Sequence, residues 1–112
     1  MLVTTTNDVA DHRIVKVLGE VNGLTVRTRN VGAQLGATFK ALGGGELRGL
    51  TKQLQQSRAE ALERMSDNAR DMGANAVIAM RYDSNELANT FQEILAYGTA
   101  VVIEPLVAGA TG

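Results

Sequence analysis

The sequence has no cysteine and no tryptophan, one proline, one histidine, and only two tyrosines and two phenylalanines in 112 residues. Without cysteine there is no disulfide, no thiolate ligand for zinc and no thiol nucleophile. With so few rings, the core must be built from Leu, Val, Ile, Ala and Met. An excess of charge is also missing. Eleven basic residues face twelve acidic ones, for a formal net charge of −1. The basic residues are scattered, so the electrostatic footprint of a nucleic-acid binder is absent. No apolar run approaches the roughly 18 residues needed to cross a bilayer. Met1-Leu2-Val3-Thr4-Thr5-Thr6 lacks the basic segment and apolar stretch of a signal peptide. The expected location is the cytoplasm, with neither membrane nor nucleic acid as partner.

What is present fits one domain. Leu2 to Thr5 is rich in β-branched residues and reads as a strand, followed by a turn at Asn7-Asp8. A second strand region runs from about Arg13 to Thr28, interrupted by Gly19 and Asn22-Gly23. Asn-Gly between apolar runs is a hairpin signal. A bulge or bend in one long strand is the reading favoured here, because Gly inside a strand often marks one. Val31, Leu35, Phe39 and Leu42 are spaced as on a short helix, weakened by Gly32 and Gly36. Gly43-Gly44-Gly45 then breaks the chain.

Glu46 to Met72 carries the strongest pattern. Leu47, Leu50, Leu54, Ala61, Met65, Ala69 and Met72 fall within about 100° of arc at 100° per residue. Lys52, Gln56, Glu60, Glu63, Asp67 and Arg70 lie opposite, and Glu60 and Arg64 are spaced for an i,i+4 pair. Gly73 suits the left-handed residue that ends a helix. Ala76 to Asp83 reads as a strand and Ser84 to Asn89 as a polar turn. Phe91 to Ile103 reads as a long strand that Pro105 ends. The domain thus spans 1–104, and 105–112 reads as a disordered tail.

The strand pair implies self-association. A sheet with one wet face should alternate apolar and polar residues. Here one parity carries Leu95, Tyr97, Thr99, Val101 and Ile103, and the other carries Ile94, Ala96, Ala100 and Val102. One helix covers one face. The other needs the weak Val31–Leu42 helix or, by preference, a neighbouring subunit. Arg58 lies within about 20° of the centre of the helix's apolar stripe. Its stem can cover apolar surface while its head reaches water. Alternatively it pairs with a carboxylate, on another subunit for example, or lines a channel.

Three stretches carry a family resemblance: Arg58-Ala59-Glu60-Ala61-Leu62-Glu63-Arg64-Met65, then Gly73-Ala74-Asn75-Ala76-Val77-Ile78 with Arg81-Tyr82-Asp83, then Ala96-Tyr97-Gly98-Thr99-Ala100-Val101-Val102. With Leu18-Gly19-Glu20-Val21 and the Gly43-Gly44 step, the chain resembles the YbjQ-like family over about residues 1 to 104. The resemblance implies an α+β subunit in which an antiparallel sheet is backed by a long helix. It also implies a ring-shaped homo-oligomer, a pentamer. Members are described as uncharacterised or as heavy-metal-binding, and no catalytic residues carry over.

Soft heavy metals favour thiolate, thioether and imidazole ligands. Asp8, Asp11 and His12 form the one compact group of ligand types, but Asp8 sits in a turn context where Asp serves the backbone. Met65 and Met72 read as core filler. Ser57, Ser66 and Ser84 have no imidazole placed near them, and His12 is the sole candidate base. Gly43-Gly44-Gly45-Glu46 lacks the Lys-Ser/Thr of a phosphate loop and reads as a joint. Arg81, Asp83 and Glu86 near a strand end read as a solvated charge cluster that a ring would repeat around its axis.

The expected fold is α+β: an antiparallel sheet on one long helix plus a short one, two layers, in a ring-forming subunit. The expected function is non-enzymatic: a homo-oligomer that binds a small molecule or ion or serves as a structural module. A heavy-metal-binding protein is an alternative. So are an adaptor for another protein and an enzyme whose site is assembled between subunits. Arg58, Arg81, Tyr82 and Asp83 are the ligand or interface candidates. No cofactor is named by the sequence.

Overall fold

The computed structural model describes residues 1–28, 44–87 and 91–106. Its elements are β1 (Leu2–Val3), β2 (His12–Thr28), α1 (Gly44–Asp71), β3 (Ala76–Leu87) and β4 (Phe91–Pro105). The strands form one sheet in the order β1-β3-β4-β2. β4 runs antiparallel to both β2 and β3. β1 runs parallel to β3, with Leu2 opposite Ala76 and Val3 opposite Val77. The sheet is therefore mixed, which corrects the antiparallel expectation. The intervening β2 and α1 supply the long crossover that a parallel pair needs.

The stretch from residue 12 to 28 is one strand, not a hairpin. Its register against β4 shifts between Ile14 and Lys16 and between Val17 and Gly19. Gly19 sits at φ +124°, a conformation that favours glycine. Asn22 and Gly23 continue the ladder opposite Tyr97 and Ala96. Gly23 serves a different purpose. A Cβ there would lie 2.2 Å from the Ala61 carbonyl oxygen and 2.2 Å from the Met65 nitrogen. The helix backbone rests directly on the strand at this point.

The helix begins at Gly44, ahead of the expected Glu46, and ends at Asp71. Glycine is tolerable in the first turn, where backbone N–H groups lack intrahelical partners anyway. At the other end Gly73 takes φ +93°. Its N–H donates to the Arg70 carbonyl at 2.9 Å, and the Ala74 N–H donates to the Ala69 carbonyl at 3.0 Å. This is the paired closure of a Schellman motif.

The apolar stripe is narrower than its spacing implies. Ala61, Met65 and Ala69 are fully buried, whereas Leu54 and Met72 are 38% and 39% exposed. Ser57, only 1% exposed, occupies the buried line instead. The cause is the partner strand. Thr25 Oγ1 donates to the Ser57 carbonyl at 3.1 Å, and Arg27 Nε donates to Ser57 Oγ at 2.8 Å. Glu60 pairs with Arg27 at 3.2 Å, and Arg64 donates to the Leu24 carbonyl. The expected Glu60–Arg64 pair is thus replaced by contacts to β2.

β3 continues as strand through Leu87, paired to β4 as far as Leu87 opposite Phe91. The turn expected over 84–89 is corrected to that extent. Ser84, Asn85 and Glu86 are polar because they are exposed, not because the chain turns there. Residues 88–90, the expected short helix at 31–42 and residues 107–112 lie outside the described residues. Among the described residues, no helix is long and apolar enough to cross a membrane.

Apolar packing occurs on both sides of the sheet. The main cluster joins Val21, Ala61, Met65, Ala69, Val77, Met80, Ile94, Ala96 and Ala100. A smaller one joins Ala76, Ile78, Val101 and Ile103, with Val9 and Ile14 against it. The N-terminal segment thus covers part of the second face, a cover that sequence reasoning missed. The rest of that face is open: Val17, Leu24 and Val26 are 63%, 39% and 49% exposed.

Gly23→Ala drives a methyl group into helix backbone and is expected to cost about 3 kcal/mol, at the upper end of overpacking effects. Gly49→Ala, where a Cβ meets nothing within 4 Å, is expected to stabilise by about 1 kcal/mol through helix propensity. Urea unfolding followed by circular dichroism measures both.

Candidate functional site

A concavity lies where the N-terminal half of α1 passes over the far ends of β3 and β4. Thr51, Leu54, Gln55 and Arg58 line it from the helix, Tyr82, Asp83 and Ser84 from β3, and Gln92 and Ile94 from β4; it holds about 400 Å³. The helical residues follow the spacing of neighbours on one surface. Leu54, Tyr82 and Ile94 give it an apolar wall. The rest of the lining is polar or charged.

A bulge aims the β3 residues. Ala76 and Ile78 pack in the smaller cluster, away from the helix, while Met80 packs in the main one. Strict alternation would keep all three on one face. The register shifts between Ile78 and Arg81, and Ala79 sits at φ +53°. The extra residue reverses the pleat, as β-bulges do. Beyond it Tyr82 comes opposite Ala96 and Ser84 opposite Ile94, residues of the helix-covered face. The N-terminal segment pins the bulge: Ala79 N–H donates to the Thr6 carbonyl at 2.8 Å, and Met80 N–H to the Thr4 carbonyl at 3.0 Å.

Of the sequence-derived candidates, the fold gathers Arg58, Tyr82 and Asp83 and leaves Arg81 out. The Arg58 guanidinium carbon lies 5.3 Å from the Tyr82 ring centroid, within cation–π range. Tyr82 Oη donates to the Arg58 carbonyl at 3.4 Å. Asp83 Oδ1 accepts the Ser84 N–H at 2.9 Å, and Gln92 Nε2 donates to Ser84 Oγ at 3.2 Å. Arg81 instead turns to the N-terminal segment, donating to the Thr5 carbonyl at 2.9 Å and the Met80 carbonyl at 2.8 Å. Arg58 is exposed, although its position falls on the apolar stripe of the helix. Sequence reasoning did not find Gln55 or Gln92; a neutral amide on a strand or helix carries no distinguishing signal.

Asp8, Asp11 and His12 do not converge. Among the described residues, no group of three or more His, Cys, Asp or Glu side chains is placed to hold a metal ion. His12 Nδ1 is 2.8 Å from the Ala10 carbonyl oxygen, which ties the ring to its own turn. Asp11 adopts φ +60°, a conformation in which Asp is several-fold enriched. Two of the serines are engaged as well: Ser57 Oγ donates to the Gln53 carbonyl at 3.1 Å, and Ser84 Oγ accepts from Gln92 Nε2.

Ala79→Val places a β-branched residue in a left-handed conformation and is expected to cost about 1–3 kcal/mol. Ala79→Gly is expected to be neutral or mildly stabilising. Thermal unfolding of the two variants checks the pair. A conserved order of effects, Gly above Ala above Val, is the expected result.

Comparison with known proteins gives one consistent family. Residues 1–104 match the YbjQ family model, described as "Putative heavy-metal-binding". A UPF0145 protein of Streptomyces coelicolor is 57% identical over 103 residues, covering 92% of this chain and 97% of its own. One from the archaeon Methanothermobacter thermautotrophicus is 51% identical over 105 residues, covering 94% and 92%. The fold is similar to a crystal structure of a protein of unknown function, a DUF74 family member from Pediococcus pentosaceus. The TM-score is 0.61 at 18% identity, with 93% of this chain and 98% of that one covered.

Proposed function

The chain belongs to the YbjQ family, and from that premise we propose that it is a non-enzymatic subunit of a ring-shaped homo-oligomer that binds a small molecule or ion. The open part of the sheet carries this reading. Val17, Leu24 and Val26 expose apolar side chains on one sheet face, beside the half-buried Leu95 and Tyr97 of β4. A second copy is the occupant that fits, because among the described residues the sheet also ends in two unlike edges with no strand beside them. β2 is an edge strand of 17 residues. β3 is flanked by β1 only at Ala76 and Val77, so its edge beyond Met80 has no strand beside it among the described residues. Long unpaired edges are templates for pairing with another chain. Pairing of two different edges is heterologous, and a heterologous contact that closes makes a ring. Five subunits is the number the family resemblance implies. The subunit in this reading has two layers, helix and sheet, with the ring contact on the uncovered side.

The non-enzymatic part rests on the engagement of the hydroxyls and of His12 with backbone and neighbouring side chains. The family description supports a heavy-metal reading in words only. Of the donors that soft metals prefer, the chain offers no thiolate and one imidazole, and two of its four thioethers, Met65 and Met80, are buried in the core.

Light scattering at micromolar concentration is expected to give a mass several times that of the 11.9 kDa chain. Leu24→Lys with Val26→Lys places like charges on the open face and is expected to shift the mass toward the monomer with the helical circular dichroism retained. A wild-type monomer overturns the proposal.

A further inference from the structure

The groove between α1 and the ends of β3 and β4 is the place where the ligand-binding part of the function proposed above can be made specific. We propose that it binds a small organic oxyanion, a carboxylate or phosphate monoester with a short apolar body, through the Arg58 guanidinium. The inference rests on the ligand-binding reading but not on self-assembly.

Among the described arginines, Arg58 stands apart. Arg13 pairs with Glu104, Arg27 with Glu60 and Ser57, and Arg70 with Asp67. Arg64 and Arg81 donate to backbone carbonyls. Arg58 has its guanidinium over the Tyr82 ring and, among the described residues, no hydrogen-bond acceptor or carboxylate partner. A guanidinium carries five donors in a rigid planar fork. The ring satisfies none of them. It fixes the position of the group while leaving the fork free, which is the arrangement that bidentate capture of a carboxylate or phosphate uses. Tyr82 is itself tied down, since its hydroxyl donates to the carbonyl of Arg58 near the middle of the helix.

The surroundings define the rest of the ligand. At about 400 Å³ the groove is near the lower end of small-molecule sites. Leu54, Tyr82 and Ile94 offer apolar contact for a short carbon body. Gln55, Ser84 and Gln92 supply neutral donors and acceptors. Asp83 also lines the groove and, with its Oδ1 accepting the Ser84 N–H, repels a second negative group. A single anionic head at the Arg58 end is therefore favoured over a molecule charged at both ends.

The absence of tryptophan makes the test direct. The chain has two tyrosines, so a Tyr97→Phe protein reports on Tyr82 alone by its emission. Titration of the assembled full chain with butyl phosphate, with butyrate and with 1-butanol compares two anions with a neutral body. The two anions are expected to give saturable changes, with half-saturation in the millimolar range or below. Their order distinguishes a phosphate from a carboxylate site. 1-Butanol is expected to give none. Arg58→Gln in the same background should weaken the better anion at least about 10-fold, as removal of a charge-assisted bidentate contact does. Arg58→Lys should recover only part of that loss, because a point charge replaces the fork. The proposal is overturned if neither anion saturates, if 1-butanol titrates like them, or if Arg58→Gln binds as tightly as the parent. Light scattering on the same samples separates the two readings: a monomer that still binds the anion removes the ring and leaves the site.

Discussion

The close seat of the helix on β2 is the constraint on which the remainder of the structure depends. Gly23 has no room for even a methyl group, because the Ala61 carbonyl and the Met65 amide stand where its Cβ would be. The facing residues are small in turn: Ala61, Ala69, Ala96 and Ala100 are fully buried. In a close-packed interior, backbones can approach this nearly only where side chains are absent or minimal. The contact fixes both the height of the helix above the sheet and its rotation about its own axis. Once that rotation is fixed, Ser57 must face β2 and Arg58 must face the ends of β3 and β4.

From this follows the division of the interface into a dry and a polar part. Around Met65, burial of aliphatic carbon supplies the stabilisation at roughly 25 cal/mol per Å². One and two turns toward the N-terminus, hydrogen bonds take over. Thr25, Arg27, Ser57 and Glu60 satisfy one another, and no buried side-chain polar atom is left without a partner among the described residues. A buried polar group costs little once it is bonded, and a great deal otherwise. The polar stretch therefore specifies alignment more than it adds stability. It also leaves the helix and strand ends apart, which opens the groove beyond it.

The groove then needs a second device, because the natural alternation of β3 would turn Tyr82 away. The bulge at Ala79 reverses that alternation, held by Thr4 and Thr6 of the N-terminal segment. The same segment places Val9 over the smaller apolar cluster. One short stretch near the chain start thus closes part of the second sheet face and aims the residues on the first.

Much of this was legible in the chain itself. The helix, its glycine-closed end, the long β4 and the unbroken β2 follow from periodicity and from the conformational freedom of glycine, both local properties. The apolar character of both sheet faces was legible for the same reason, since alternation is a property of consecutive residues. The parallel pairing of β1, the strand character of Ser84 to Glu86, the exposure of Leu54 and the diversion of Glu60 and Arg64 to β2 were not. Each depends on which residues, distant along the chain, arrive opposite one another. The bulge at Ala79 carried no signature, because alanine is not a residue that announces a left-handed backbone. The sequence by itself determined the long helix with its glycine-closed end, the long strands β2 and β4, and the absence of thiolate ligands. Only the tertiary structure decided that Arg58 and Tyr82, 24 positions apart, meet in one groove while Arg81 turns away. That choice was made by helix rotation and strand phase, which are set by packing and not by local preference.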